Sequence, residues 1–437
     1  MAARAQWYDA SVVARIRHHP IAPFVFLEAA VVASGAGNGV ASVAIPWLIL
    51  ERTGNAAAAG LVGAATALPL LLSALFSGAV VDTLGQRRTS MLSDVLSAVS
   101  VAAIPVVDLA LGLDLGLIVV LVVVGALFDP AGATAREAML PSVAGRARIP
   151  LERANGIHEA AWGVAFMVGP GLGGLLVALV GAVGALWATS FAFLLSIAAI
   201  ALVKAPRIGR PAREERPASI LRGSLDGLSF VWKSRVLRAL VLIEMVLVAV
   251  YMPIEGVVLP VFFEDQQAPG RLGLVLMALS GGAIAGSLLY SVVARRIRRF
   301  PLFVSALVLA SLSILAMSLL PPYPLLVAAG ALAGFFSGPL GPLLNFEMQT
   351  TTPPSMRGRV LGVLMATSYA AGPAGYLLVG WLIQRFGVEP VFLGLGILMV
   401  IAAAVGSFLP SLRGLDDEGP YEAELSAPEI RPPAELR

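Results

Sequence analysis

The 437-residue chain has no cysteine, which excludes disulfides, thiol catalysis and Cys-based zinc sites. It is short of charge: 13% of its residues are Asp, Glu, Lys or Arg, against about 25% in an ordinary soluble domain. A water-facing surface for a chain of this length cannot be built from so few. The three histidines, His18, His19 and His158, are too scattered to suggest a metal site, and no metal or other cofactor is expected. No Gly-x-x-x-x-Gly-Lys-Ser/Thr run occurs, so the chain carries no P-loop pump module. No nucleophile–base constellation supports an enzyme. What abounds is apolar: 58% of residues are hydrophobic, with 45 glycines that allow close helix contact in a bilayer.

A bilayer core needs about 20 apolar residues per helix. Windows of that size give twelve candidate spans: 22–50, 58–81, 90–111, 116–138, 158–180, 183–203, 237–263, 271–294, 300–320, 324–347, 359–383 and 390–410. Spans five and six run close to merging at Gly181–Gly184. The segment 1–20 is polar and basic and reads as cytoplasmic, without a cleaved signal peptide.

Charge sits in every second gap. Of 30 Lys and Arg, only Arg52, Arg271 and Arg385 fall on one side; the other 27, counting the termini and Arg136, fall on the other. The positive-inside rule then places both termini in the cytoplasm, in an inner cell membrane. The basic excess is topogenic, so no nucleic-acid partner is expected. Residues 204–236, with Pro206, Pro211 and Pro217, read as a cytoplasmic connector between six-helix halves at 21–203 and 237–411. The halves echo one another: Glu28 and Glu244 lie early in spans 1 and 7, with Pro46 and Pro260 near the far ends. Repeated halves with a site between them are common in secondary transporters. The acidic stretch 412–437 reads as a disordered cytoplasmic tail.

Three motifs stand in order. Gly78-Ala-Val-Val-Asp82-Thr-Leu-Gly85-Gln-Arg87-Arg88 links spans 2 and 3. Gly169-Pro170-Gly171-Leu172-Gly173-Gly174 lies in span 5. Leu140-Pro141 followed by Ala154-Asn155, and Pro353-Pro354 followed by Arg357-Gly358-Arg359-Val360, flank spans 5 and 11. Together they resemble the major facilitator superfamily, in its enterobactin-exporter and macrolide-efflux branch. The resemblance implies an all-α integral membrane fold of about twelve helices in two pseudo-twofold-related six-helix bundles. It implies a conformational latch at Gly78, Asp82, Gly85, Arg87 and Arg88, with the arginines at the headgroups, although Thr83 stands where the family has Arg. It also implies an antiporter-like kink at Gly169, Pro170, Gly171, Gly173 and Gly174, the mark of exporters in that family.

A mid-membrane carboxylate costs at least about 2.5–3.5 kcal/mol and is a functional candidate by default. Glu28, Asp129, Glu244 and Glu255 are the proton-coupling candidates; Asp94 and Glu347, nearer the cytoplasmic ends, read as structural. One charge crossing 100 mV releases about 2.3 kcal/mol, enough for a gradient of about 40-fold. Asn38, Phe128, Met252, Phe335, Phe336 and Asn345 are candidate cavity residues. So apolar a set suits an amphipathic or hydrophobic small molecule better than a sugar or phosphate. The expectation is a monomeric antiporter with protons, membrane lipids and a drug, macrolide or siderophore-like substrate as partners. A lysophospholipid mover of the same fold and a transport-inactive sensor or scaffold are the alternatives.

Overall fold

The computed structural model describes residues 21–112, 114–203, 220–293, 296–353 and 356–417, and their regular structure is helical, with no strand among them. The helices are α1 (Ala22–Thr53), α2 (Ala56–Leu84), α3 (Gln86–Leu111), α4 (Leu115–Ala126), α5 (Asp129–Ala147), α6 (Leu151–Leu202), α7 (Ile220–Lys233) and α8 (Arg235–Pro253). A π-turn, Ile254–Val258, joins α8 to α9 (Leu259–Glu264). Then come α10 (Pro269–Val293), α11 (Arg299–Ser318), α12 (Tyr323–Ser337), α13 (Leu340–Thr351), α14 (Arg357–Phe386) and α15 (Val388–Ser407).

Helices are what lipid demands, because each satisfies its own backbone polar groups. Their ends are written in polar residues. Asn55 accepts hydrogen bonds from Ala57 and Ala58 N–H, Asp114 from Leu117, and Ser234 from Leu237. Gly54, in the left-handed region, closes α1.

Among the described residues, nine stretches are long and apolar enough to cross a membrane. One of them, Arg153–Leu202, breaks at Gly181, whose φ of 75° and ψ of 170° suit glycine and turn the chain between two legs. That second leg, with α2 and α14 (29 and 30 residues), completes the twelve passes expected. Two passes are themselves interrupted. The one at Leu115–Ala147 breaks before Asp129-Pro130, and the one at Tyr323–Thr351 breaks at Gly338-Pro339. Proline removes a backbone donor at each break. Large apolar side chains such as Leu109 and Val292, 78% and 73% exposed, line the outer faces, as expected where lipid is the solvent.

Packing divides the chain into two compact units. The first takes the described residues of Met1–Arg213, Glu255–Met277 and Tyr376–Gln384; the second takes those of Glu214–Ile254, Ala278–Gly375 and Arg385–Arg437. The first unit therefore includes stretches of the eighth and fourteenth helices' passes and of α10 that the sequence rhythm assigns to the second half. Its core gathers Phe24, Leu27, Met139, Leu140, Val143 and Ile200.

Two stretches outside the expected spans carry regular structure. The connector 204–236 contains α7, with Val231 buried against Leu237, Val241 and Val360; its residues 204–219 lie outside the described chain. The stretch 412–437, expected to be a disordered tail, starts with structure. Residues Pro410–Asp416 form a 3-10 turn that buries Leu412 and Leu415 against Leu240, Ile243 and Leu307. Leucines three apart share one face of such a turn. Asp416 accepts a hydrogen bond from Phe300 N–H at 3.0 Å and pairs with Arg298 at 3.3 Å. Residues 418–437 lie outside the described chain.

Candidate functional site

The first unit encloses an ion cluster. Asp94 of α3 and Arg136 of α5 pair at 3.2 Å, with side chains 1% and 3% exposed. Arg136 Nη1 donates to both Asp94 oxygens and to Ser90 Oγ, and Nη2 donates to Ser34 Oγ of α1. Asp94 also accepts from Ser34 Oγ at 2.9 Å and from Ser196 Oγ of α6 at 2.7 Å. Four helices thus share one charge pair. Such satisfaction is required, since an unpaired buried charge is far costlier than a paired one. Arg136 Nε remains buried without an acceptor.

Asp129 extends the cluster. It accepts from Ser97 Oγ at 2.9 Å and interacts electrostatically with both Arg136 and Asp94. The group therefore holds two carboxylates against one guanidinium. Gaining one proton takes its charge from −1 to zero. Gly132 lets α5 approach α3 here: a Cβ on it would stand 2.5 Å from Ser93 Oγ.

A second buried pair lies on α1 and α6. His158 Nδ1 is 3.2 Å and 3.1 Å from the two oxygens of Glu28, and its Nε2 is buried with no partner. Ser34, which joins the Arg136 cluster, is six residues along the same helix from Glu28.

The remaining candidates are dispersed. Glu255 lies in the π-turn. Glu244, in the second unit, borders a cavity of about 90 Å³ lined by Leu240, Ile243, Phe303, Leu340 and Leu344. Phe335 and Phe336 pack edge to face at 5.4 Å and line an apolar crevice of about 150 Å³ with Leu289, Leu302 and Leu309. Phe128 precedes α5 at the break, and Asn38 on α1 is half-buried. Met252 approaches Gly372 within the second unit, and Asn345 is exposed.

The glycine motif of α6 serves two neighbours. Gly169 and Gly173 abut α1: a Cβ on Gly169 would be 2.8 Å from Gly39 Cα, and one on Gly173 would be 3.1 Å from Val40 Cα. Gly171 and Gly174 turn to α10, where Cβ atoms would meet Met277 Sδ at 2.9 Å and Gly273 Cα at 2.7 Å. Pro170 lies inside the helix between these contacts. A similar crossing joins α2 to α14. A Cβ on Gly60 would be 2.5 Å from the Tyr376 carbonyl oxygen, and Gln384 Oε1 accepts from Ala56 N–H at 3.2 Å. Both crossings lie toward the helix ends that carry few basic residues.

At the latch motif, Gly85 adopts φ 85° and ψ 146° and separates α2 from α3. Arg87 is exposed and donates to the Ala201 carbonyl at 2.5 Å, a cation at a helix C-terminus. Arg88 is exposed. The side chain of Asp82 lies outside the described residues, as does any contact of Gly78.

Arg136 is a correction. Counted with the topogenic arginines although it falls within span 116–138, it is a buried member of the ion cluster. A cation just past an apolar run reads as a loop residue until its carboxylate is known, and Asp94 is 42 positions away. His158 was passed over for lack of histidine neighbours; the signal available was Glu28, equally isolated in an apolar span.

Comparison with known proteins follows the same lines. The family described as transmembrane secretion effector matches residues 13–431. The chain is 44% identical over 397 residues to the multidrug efflux pump Tap of Mycolicibacterium fortuitum, covering 90% of this chain and 97% of that one. It is 43% identical over 396 residues to Tap of Mycobacterium tuberculosis, covering 90% and 94%. Macrolide efflux protein A of Streptococcus pyogenes is 21% identical over 387 residues, covering 87% and 94%. Among solved structures, the nucleoside transporter NupG matches with a TM-score of 0.67 at 11% identity, covering 88% and 98%. A bacterial homologue of the human lysosomal transporter Spinster matches with a TM-score of 0.69 at 13% identity, covering 91% and 98%. These structural likenesses establish the fold.

Proposed function

This chain belongs to the transmembrane secretion effector family of the major facilitator superfamily, a multi-pass membrane transporter, and we propose that it exports amphipathic and hydrophobic drugs in exchange for protons. Its place is the cytoplasmic membrane, with both termini inside, as the asymmetry of Lys and Arg supports.

One observation carries the coupling: Asp94 pairs with the single guanidinium of Arg136 where four helices meet, and Asp129 lies within electrostatic reach of both. A proton taken up there neutralises the excess charge, and its release restores it. Asp129, held by serine hydroxyls rather than by a guanidinium pair, is the acid best placed to exchange it. Glu28 with His158 is a second carrier on α1 and α6. Because α1, α3, α5 and α6 each supply a partner, a change of charge alters the packing of all four. That is how a proton biases alternating access. The two halves, 21–203 and 237–411, are the bodies that rock. The drug class comes from the relatives named multidrug and macrolide efflux proteins, and from the apolar lining of the crevices.

Purified protein in proteoliposomes tests this. A pH gradient should drive accumulation of ethidium or a macrolide, collapsed by a protonophore. Asp129→Asn, Glu28→Gln and Glu255→Gln are assayed separately. Transport indifferent to the protonophore, or normal in all three variants, would overturn the coupling.

A further inference from the structure

Glu255 sits in a π-turn, Ile254–Val258, set between Pro253 and Pro260. Single π-turns inside long helices are rare and recur at functional sites. The next residue, Gly256, carries no side chain, and its place is taken by another residue. A Cβ there would stand 2.6 Å from Cε1 and 2.8 Å from Oη of Tyr376 on α14. The same ring edge rests on Gly63 of α2, where a Cβ would stand 2.7 Å from Cδ1 and 2.9 Å from Cε1. The Tyr376 carbonyl in turn touches Gly60, one helical turn earlier. Tyr376 therefore touches two other elements, at three positions where only glycine leaves room. Tyr376 also lies within electrostatic reach of Glu255. Of the other acids toward this end, Asp265 and Glu51 bear on Glu264.

We propose that Tyr376 is a positioning residue for transport: its ring ties the π-turn bearing Glu255 to the α2–α14 crossing, so that a change at Glu255 reaches the closed, basic-poor end of the first unit. The proposal rests on the reading of the chain as a transporter. The turn moves with the charge it carries; the ring follows the turn; and α2 follows the ring, because both glycine faces are already at contact. The hydroxyl is the part that feels the acid's charge, and the ring edge is the part that bears on α2.

The chain's lack of cysteine makes the test direct. Spin labels at Leu61→Cys on α2 and Leu378→Cys on α14, both exposed, report the crossing by pulsed EPR in proteoliposomes. With Tyr376 present, Glu255→Gln should shift the ratio of short to long distances by at least about fivefold, the lower range of coupling between linked sites. In Tyr376→Ala that response should vanish. Tyr376→Phe should keep the short distance, showing that the fold survives, and should lessen the response. Gly63→Ala, which displaces the ring without changing it, should lengthen the distance by itself. An equal response to Glu255→Gln with and without the ring overturns the proposal, as does no response in the Tyr376 background. Failure of the labelled protein to move ethidium or a macrolide would instead overturn the transport reading, whatever the distances show.

Discussion

Both carboxylate oxygens of Glu28 lie on one ring nitrogen of His158, Nδ1, at 3.2 Å and 3.1 Å, while the other nitrogen, Nε2, is buried with no partner. A buried donor or acceptor left unmade costs about 1–3 kcal/mol. An imidazole so placed has one nitrogen to bind the acid and one to exchange a proton. His158→Asn should keep a polar contact to Glu28 but lose the exchange, lowering turnover by about 10²–10⁴-fold, the loss common for a proton-transfer group. Drug affinity should stay within about twofold by the same reasoning, because uniform binding is untouched. Initial rates over a range of drug concentrations separate the two; an unchanged maximal rate would remove His158 from the pathway.

Arg136 and Asp94 should behave as a unit. Removing one partner of a buried pair costs about 3–5 kcal/mol, so Arg136→Gln and Asp94→Leu should each lower thermal stability in detergent. Arg136→Met combined with Asp94→Leu should recover much of that loss while abolishing proton-driven uptake. Fluorescence-detected unfolding and flux measured on the same preparations check it. A double variant that transports would reduce the pair to a structural element.

Gly174 meets Gly273 and the Pro269 carbonyl backbone to backbone. Gly174→Ala puts a methyl where no room exists, and overpacking costs about 1–3 kcal/mol. The α6–α10 crossing should then part, favouring the form open at this end. Cysteine probes at exposed Leu175 and Leu274 would gain reactivity there. Gly394→Ala, at a position with open space, is the control and should change nothing.

Threading can be mapped without removing a native thiol. Arg88→Cys and Arg296→Cys should resist an impermeant maleimide added to intact cells and react after lysis. Thr53→Cys and Gly387→Cys should react from outside. Labelling of Arg88→Cys in intact cells would reverse the orientation.

The passes were legible because bilayer thickness imposes a length that an apolar run can match, and even the break at Gly181 showed as a glycine-bearing gap. The glycine motif was legible as an agent of close approach; that Gly169 and Gly173 serve α1 while Gly171 and Gly174 serve α10 follows from helical phase and required the neighbours. Arg136 was not legible. Its partner is remote in the chain, and a cation beside an apolar stretch has the same local signature as a topogenic one. The π-turn at Glu255 also left no periodic trace, since a single extra residue in one turn is lost within a uniformly apolar segment. Leu412 and Leu415 were hidden by their acidic surroundings, because average composition outweighed two leucines on one face.

Phe300 receives its hydrogen-bond acceptor, Asp416, from 116 positions farther along. Synthesis proceeds from the N-terminus, and domains generally fold as units. The N-terminal ends of α8 and α11 therefore enter the bilayer with the hollow around Leu240 and Leu307 unfilled, and only the turn Pro410–Asp416 seals it. Maturation of the second unit thus waits for Pro410–Asp416 to be made, and chains interrupted between Ser407 and Asp416 should be the ones that quality-control proteases remove.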